Sequence, residues 1–482
     1  MITITRRLAQ QLRSVLRRAF GNFRGTGPAI GFIAGKEGLT VKSSFGDVAV
    51  ECRLPGEHTA EAIWLPFEFL ADVAGKNDAE VNLEATGDGQ VSVQWRTGNV
   101  PQIVTYDTNA PLDADKFPVL PTAFTANPAG LLQALDAASE VTALEGVRYA
   151  TDCIQLSPDG TINATDGRQL LIQSGFTFPW QDAVLVPRNK VFTCAELPQD
   201  QPVAVAKSGD WVAVSAGRWT VYLRINPSRY PKVADIIPDP ETAKARCQLS
   251  KDDIRFLVET LPNLPSEDED NLPVTIDLNG SIAIRAKEPD KEGQKGNPTE
   301  VVLTNSHWTG EPIRININRT YLQRAMKLGL GELSLYGDER ALLCQAFDRK
   351  FLWMPLGAGS AIPPAEDAIR IESPPGELAA PIPNPATSKE VQPMSEPTTT
   401  TAKAETNAQA KTDTTNRKAS RRKASQQDLA TLIDQAAQFR TALHDLMQEA
   451  NGLVKALKQH KRKNKAIQTT LDSLKQLKTL GV

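Results

Sequence analysis

Three stretches of this chain alternate apolar and polar positions around a Gly/Asp turn: "AEVNLEATGDGQVSVQW" (79–95), "QPVAVAKSGDWVAVSAG" (201–217) and "GELSLYGDERALLCQA" (331–346). Such period-two alternation predicts half-buried antiparallel hairpins, because successive side chains of a strand point to opposite faces. Just before each hairpin an extended apolar lead-in runs into a short amphipathic helix, in "LPFEFLADVAGK" from Leu65, "VPRNKVFTCAEL" from Val186 and "INRTYLQRAMKLG" from Ile317. Another amphipathic helix is predicted roughly fifty to seventy residues upstream of each copy, in "RRLAQQLRSVLRRAF", "PAGLLQALDAASEV" and "SKDDIRFLVETL".

The unit helix, strands, helix, strands therefore recurs about every 120 to 130 residues, as a repeated supersecondary unit does. The expected fold class is α+β, with three repeated domains of antiparallel sheets plus two helices each, over 1–121, 122–245 and 246–357. Boundaries are placed at "DKFPVLP" and "DIIPDPETAK", where paired prolines break regular structure.

After Gly357 the pattern changes twice. Residues 358–425 are rich in Pro, Ala, Thr, Ser and Lys, with almost no large apolar residues from Leu378 to Ser425. A disordered basic linker is expected, because such a segment cannot bury enough surface to offset its ordering entropy. From Gln426, the positions Leu429, Leu432, Ala436, Phe439, Leu443, Leu446, Ala450, Leu453 and Leu457 alternate steps of three and four, and Ile467, Leu471 and Leu474 resume the register. This predicts a helical coiled-coil segment or helical hairpin over 426–482, whose apolar stripe implies an unknown coiled-coil partner.

Charge is uneven. From Glu377 onward there are 17 Lys or Arg against 10 Asp or Glu, a net +7, which leaves −10 on the residues before it in a chain of total −3. The five cysteines are far apart and form no CxxC, and the four histidines form no HExxH, so no metal site, disulfide framework or cofactor is expected. GxxxxGK[ST], strand-linked GxGxxG and GxSxG are all absent, which removes the commonest nucleotide and acyl-transfer chemistries. No run of about eighteen apolar residues occurs, so a cytoplasmic protein without membrane attachment is expected. The composition reads as that of a binding protein rather than an enzyme.

Several motifs in a fixed order resemble the bacterial sliding clamp, the beta subunit of DNA polymerase III, over roughly residues 1 to 357. They are "FPVLP", "VRYATDCIQL" followed by "NATDGRQL", "VLVPRNKV", "SRYPKVADIIP", "INRTYL" and "FLWMP". In that family three domains of one fold make a crescent, and two crescents close head to tail around duplex DNA with helices lining the hole. The resemblance implies a DNA processivity factor with double-stranded DNA, polymerase and clamp-loader subunits, and a second copy of itself as partners. An acidic body with a basic inner surface suits sliding, since it attracts phosphates without reading bases.

By resemblance, Arg24, Arg148 and Tyr149 fall where clamps touch DNA, and Arg188, Lys190, Arg319 and Arg324 lie on or beside the second helices. Arg13 and Arg17 belong to the basic helix Arg6 to Arg18. An ordinary solvated helix face is the alternative reading of such a charge run.

The same resemblance implies an apolar groove between the second and third domains that holds short linear peptides of partner enzymes. Thr165, Gly167, Arg168 and Leu170 form one wall, joined by Thr151, Pro238, Leu352, Met354, Pro355 and Leu356. Asp166 is then a turn residue, for Asp-Gly supplies a side-chain acceptor and a positive φ, whereas a catalytic carboxylate would need a base or metal ligand nearby. The sequence departs from the family's pattern at Arg168-Gln169, at Thr151 and at Gly357, so its preferred peptide is left open. An alternative function is a clamp-derived interaction scaffold that assembles through its C-terminal coiled coil without encircling DNA. In the tail, "QQDLA" (426–430) shares Gln, Asp and Leu with the family's partner peptides, and also suits an ordinary helix start.

Overall fold

The apolar repeats build four sheets in a computed structural model, which describes residues 1–23, 27–87, 89–108, 117–146, 148–290 and 296–376. The expected coiled-coil segment 426–482 and most of the expected linker lie outside the described residues.

The first domain runs β1 (Ile2–Thr5), α1 (Arg6–Phe20), β2 (Ala29–Gly35), β3 (Gly38–Phe45), β4 (Val48–Leu54) and β5 (Glu61–Pro66). It finishes with α2 (Phe69–Val73), β6 (Glu80–Ala85), β7 (Gln90–Thr97) and β8 (Val100–Asp107). The second has β9 (Thr125–Asn127), α3 (Gly130–Val141), β10 (Cys153–Leu156), β11 (Ile162–Thr165) and β12 (Gln169–Gln173). Then come β13 (Val184–Pro187), β14 (Val203–Ser208), β15 (Trp211–Ala216) and β16 (Trp219–Arg224). The third contains β17 (Ala245–Gln248), α4 (Lys251–Thr260), β18 (Pro273–Asn279), β19 (Ser281–Lys287), β20 (Pro298–Leu303) and β21 (His307–Gly310). It continues through β22 (Ile313–Asn318), α5 (Arg319–Lys327), β23 (Glu332–Leu335), β24 (Leu342–Ala346), β25 (Arg349–Trp353) and β26 (Ile369–Glu372).

Helix α1 shows how local sequence sets these elements. The Thr5 hydroxyl caps it by accepting from the Leu8 amide at 3.1 Å. Leu8, Leu12, Val15, Leu16 and Ala19 form the buried stripe, and Gly21 ends the helix at a φ of 66°.

Sheets run across the domain boundaries. β5-β2-β3-β4 of the first domain continues into β16-β15-β14-β9 of the second, through antiparallel β4 and β16. In the same way β13-β10-β11-β12 continues into β25-β24-β23-β17-β21, through antiparallel β12 and β25. Two sheets stand at the ends of the repeat, β1-β6-β7-β8 and β22-β18-β19-β20-β26.

Two expectations are corrected. "VPRNKVFTCAEL" forms only a 3₁₀ turn at Val191–Thr193 instead of a helix. Asn189 turns its side chain onto its own backbone, its Oδ1 accepting from the Val191 amide at 2.9 Å, which competes with helix formation in a β-branched stretch. The linker also does not begin at 358. Ile362 is buried with its amide on the Thr275 hydroxyl at 2.8 Å, and β26 pairs in parallel with β20. A free sheet edge recruited a segment whose composition is that of a loop. Among the described residues, no helix is long and apolar enough to cross a membrane.

Candidate functional site

The turn between β11 and β12 is held by its own side chains. Asp166 Oδ1 accepts from the amides of Arg168 at 2.8 Å and Gln169 at 3.0 Å, and Oδ2 accepts from Gln169 Nε2 at 2.8 Å. The Thr165 hydroxyl donates to the Gln169 carbonyl at 2.6 Å and accepts from the Gly167 amide at 3.0 Å. Gly167 sits at a φ of 91°, a conformation that a Cβ would strain. Both Asp166 oxygens are thus committed to the turn. Among the described residues, no group of three or more His, Cys, Asp or Glu is placed to hold a metal ion.

The turn leads into β12, which pairs with β25 so that Leu170 faces Leu352 and Gln169 faces Trp353. Leu170 and Leu352 join Tyr336 and Leu343 in a small buried cluster of their own, with Val233, Ile237 and Ala341 packed partly against it. Above this cluster lies a cleft of about 640 Å³. Its floor includes Leu170 and Leu352, and one wall is Thr165, Gly167 and Arg168. Thr151, Pro238 and Met354 complete the set of expected residues found there. Met354 is 46% exposed and Ile236 54%, so these two offer free apolar surface, whereas the leucines of the floor are already covered.

Pro355 and Leu356 do not line the cleft. The Leu356 amide donates to the Asn316 carbonyl at 2.8 Å, so by this point the chain has turned onto β22. The segment Pro231–Ile237 was missed: Val233, Ile236 and Ile237 contribute apolar lining from an interdomain connection without period-two or helical spacing. The segment lies within the motif "SRYPKVADIIP", and its apolar Val233, Ile236 and Ile237 were the signal that it could line a surface. Arg168, Lys232 and Arg340 are exposed rim cations without ion-pair partners among the described residues, set against Asp235 and Glu339. The rim therefore favours a ligand with acidic character.

The expected DNA-contacting residues divide into free and committed groups. Arg17 is exposed and Arg13 half-buried on α1, and neither has an ion-pair partner among the described residues. Lys190 is exposed, and Arg148 lies exposed over the Tyr149 ring at 5.4 Å, while Tyr149 itself lines the cleft. Arg188 instead braces the end of α3, donating to the carbonyls of Thr142 at 3.4 Å and Ala143 at 3.3 Å. Arg319 is buried and donates to the carbonyls of Leu264 and Pro265, which corrects its expected exposure to a duplex. Arg324 is bound to Gln169 and lies 3.8 Å from Glu140. Arg24 lies outside the described residues.

Helix α3 carries the opposite sign. Burial pushes the Asp136 carboxyl above its ordinary range and the neighbouring Glu140 charge adds to the shift, against Thr193, Arg18 and Lys190. Among the expected DNA-contacting residues, the free positive charge therefore lies on α1 and on Arg148 and Lys190.

No protein-family model matches this sequence, and no curated protein sequence matches it. Solved structures do. A DNA polymerase sliding clamp from Pseudomonas aeruginosa superposes with a TM-score of 0.60 at 20% identity, covering 74% of this chain and 99% of that one. The sliding clamp from Bacillus subtilis gives 0.60 at 18% identity over 74% and 98% of the two chains. The DNA polymerase III beta subunit from Borrelia burgdorferi gives 0.61 at 13% identity over 74% and 98%. The chain has the fold of these sliding clamps.

Proposed function

We propose that this protein is a DNA sliding clamp: a non-catalytic ring around duplex DNA that keeps partner enzymes on the template and binds them through the cleft at the β12–β25 junction. The observation that carries this reading is the repeated junction. The chain joins its three domains twice by the same antiparallel pairing, β4 with β16 and β12 with β25, and the corresponding strands at its two ends are β20, whose edge carries β26, and β8. Pairing β20 of one copy with β8 of another, twice, closes a head-to-tail dimer of six equivalent domains. The basic face of α1 supplies a sequence-independent hold on phosphate. The cleft suits a short peptide with apolar anchors and an acidic residue, because Met354 and Ile236 can repack around different side chains beside a cationic rim.

The test is topological. Protein loaded on nicked circular DNA should remain bound at high salt and be released when that DNA is cut to a linear form. Retention on linear DNA, or failure of any loader to place it on the circle, would remove the ring.

A second reading is supported by the acidic face of α3 and by the cover that β26 lays on β20: an interaction scaffold that keeps the clamp fold without encircling DNA. It predicts binding to partner peptides with no topological retention in the same assay.

A further inference from the structure

Strand β20 is the junction strand whose edge is taken by a segment from beyond the repeat. β4 and β12 receive β16 and β25 antiparallel, whereas β20 receives β26 in parallel, with Thr299 opposite Ile369 and Val301 opposite Ile371. At the other end, among the described residues, β8 pairs with β7 alone. The register sets Val104 beside buried Val93, so Val100 and Val104 lie on the core face of that sheet, yet they are 58% and 38% exposed. An open edge with an unfinished apolar face is thus present at one end and a covered edge at the other.

We propose that β26 is a strap that caps the ring-closing edge, so that β20 accepts β8 of a second copy only after β26 has left it. This rests on the ring reading above and adds a built-in control of ring closure to it.

Three observations carry the inference. An extra strand adds about 4.8 Å to a sheet. Both internal junctions also join helical segments: Arg18 reaches the Thr193 hydroxyl at 3.3 Å, Asn189 reaches the Ala19 carbonyl at 2.8 Å, and Arg324 approaches Glu140 at 3.8 Å. A copy docked onto β26 would hold the corresponding helices a strand's width apart, so an equivalent third junction requires the bare β20 edge.

The strap is also lightly held along its strand and firmly held beside it. All four residues of β26 are exposed, and its Arg370 tie to Glu300, at 3.5 Å, comes from a half-exposed side chain. Beyond the last rung of this pairing, the Ser373 amide on the Val302 carbonyl at 2.9 Å, the Thr304 amide donates to the Ser373 hydroxyl at 2.9 Å and Asn305 Nδ2 donates to the Pro374 carbonyl at 2.9 Å. On the near side Ile362 is buried. A four-residue strand between two anchors can peel from the edge without the segment leaving the domain.

Finally, an uncovered β20 on an unassembled chain would be a template for indiscriminate strand pairing, and a short polar cap suppresses that. β26 is only four residues long, and in it the charged Arg370 and Glu372 alternate with exposed Ile369 and Ile371.

The test uses the full chain. Because the Ser373 amide faces β20, period-two alternation places the amides of Ile371 and Ile369 on the same side. Ile369→Pro with Ile371→Pro removes both donors and should tighten self-association, read by sedimentation, by about tenfold as the closed fraction falls. Adding Ile103→Glu on β8 should abolish that gain, while any association through residues 426–482 is untouched by it. In the opposite direction, Glu300→Cys with Arg370→Cys, oxidised, should lock the strap and weaken association until reduced. The native cysteines are all buried, which leaves the introduced pair to react selectively. Unchanged or weaker association in the proline variant would overturn the strap, as would a gain that survives Ile103→Glu. Loss of topological retention on circular DNA with the strap results intact would overturn only the ring reading.

Discussion

Arg324 and Gln169 meet across the junction of the second and third domains, the guanidinium of α5 donating to the Gln169 side-chain oxygen at 2.5 Å. Gln169 extends the chain of hydrogen bonds, its Nε2 donating to Asp166 in the turn that walls the cleft. A cation of the third domain thereby fixes a loop of the second. Arg324→Ala should lower folding stability by about 1 kcal/mol, a modest value because the arginine is partly exposed. It should also weaken groove-peptide binding. Gln169→Ala should act alike, and a double variant no worse than either single one, measured by denaturant unfolding and peptide titration, would establish that they act together.

The cleft separates anchors from floor. Met354→Ala with Ile236→Ala should reduce affinity for a polymerase-derived peptide roughly tenfold with an unchanged unfolding midpoint, because both side chains are half-exposed before a ligand arrives. Leu170→Ala or Leu352→Ala should instead cost about 2 to 5 kcal/mol of stability, since each opens a cavity in a covered cluster. Calorimetry and fluorescence titration on the same variants distinguish the two.

Charge on α1 can be tested through salt. Replacing Arg13 and Arg17 by Ala should lower DNA retention and reduce the slope of log affinity against log salt by about 0.9 for each phosphate that is no longer neutralised. An unchanged slope would assign these arginines to an ordinary solvated face.

The acidic face of α3 gives a pH signature. Asp136 has a folded-state pKa raised above its ordinary 3.8, chiefly by burial and then by Glu140. The folded state therefore binds this proton more tightly than the unfolded one, and the associated stability is present below pH 3.8 and lost as pH rises through the raised value. Asp136→Asn should raise the melting temperature at neutral pH, with the difference from the unaltered chain disappearing toward pH 3.8 and below.

Truncation can test the tail as a competitor for the cleft. If "QQDLA" docks there, a chain ending at Gly376 should bind a groove peptide more tightly than the full chain. The cut belongs after Gly376, since ending at Gly357 would also remove Ile362 and β26 from the third domain.

The sequence by itself determined what is local and periodic. Three hairpins, the stripe of α1 and the Asp-Gly turn follow from spacing, because strand and helix geometry require side chains every two or every three to four residues on one face. Part of the cleft was legible through motifs such as "NATDGRQL" and "FLWMP", which carry the family resemblance. Tertiary structure alone decided the rest. Arg319 and Arg17 are alike in the sequence, yet one is folded inward onto the Leu264 carbonyl and the other left in solvent, for a guanidinium goes where unpaired carbonyls await it. Val233, Ile236 and Ile237 became lining only because a loop without period was laid beside β12 and β25. β26 became a strand only because β20 presented an edge, and an edge belongs to the assembled sheet and to no stretch of sequence.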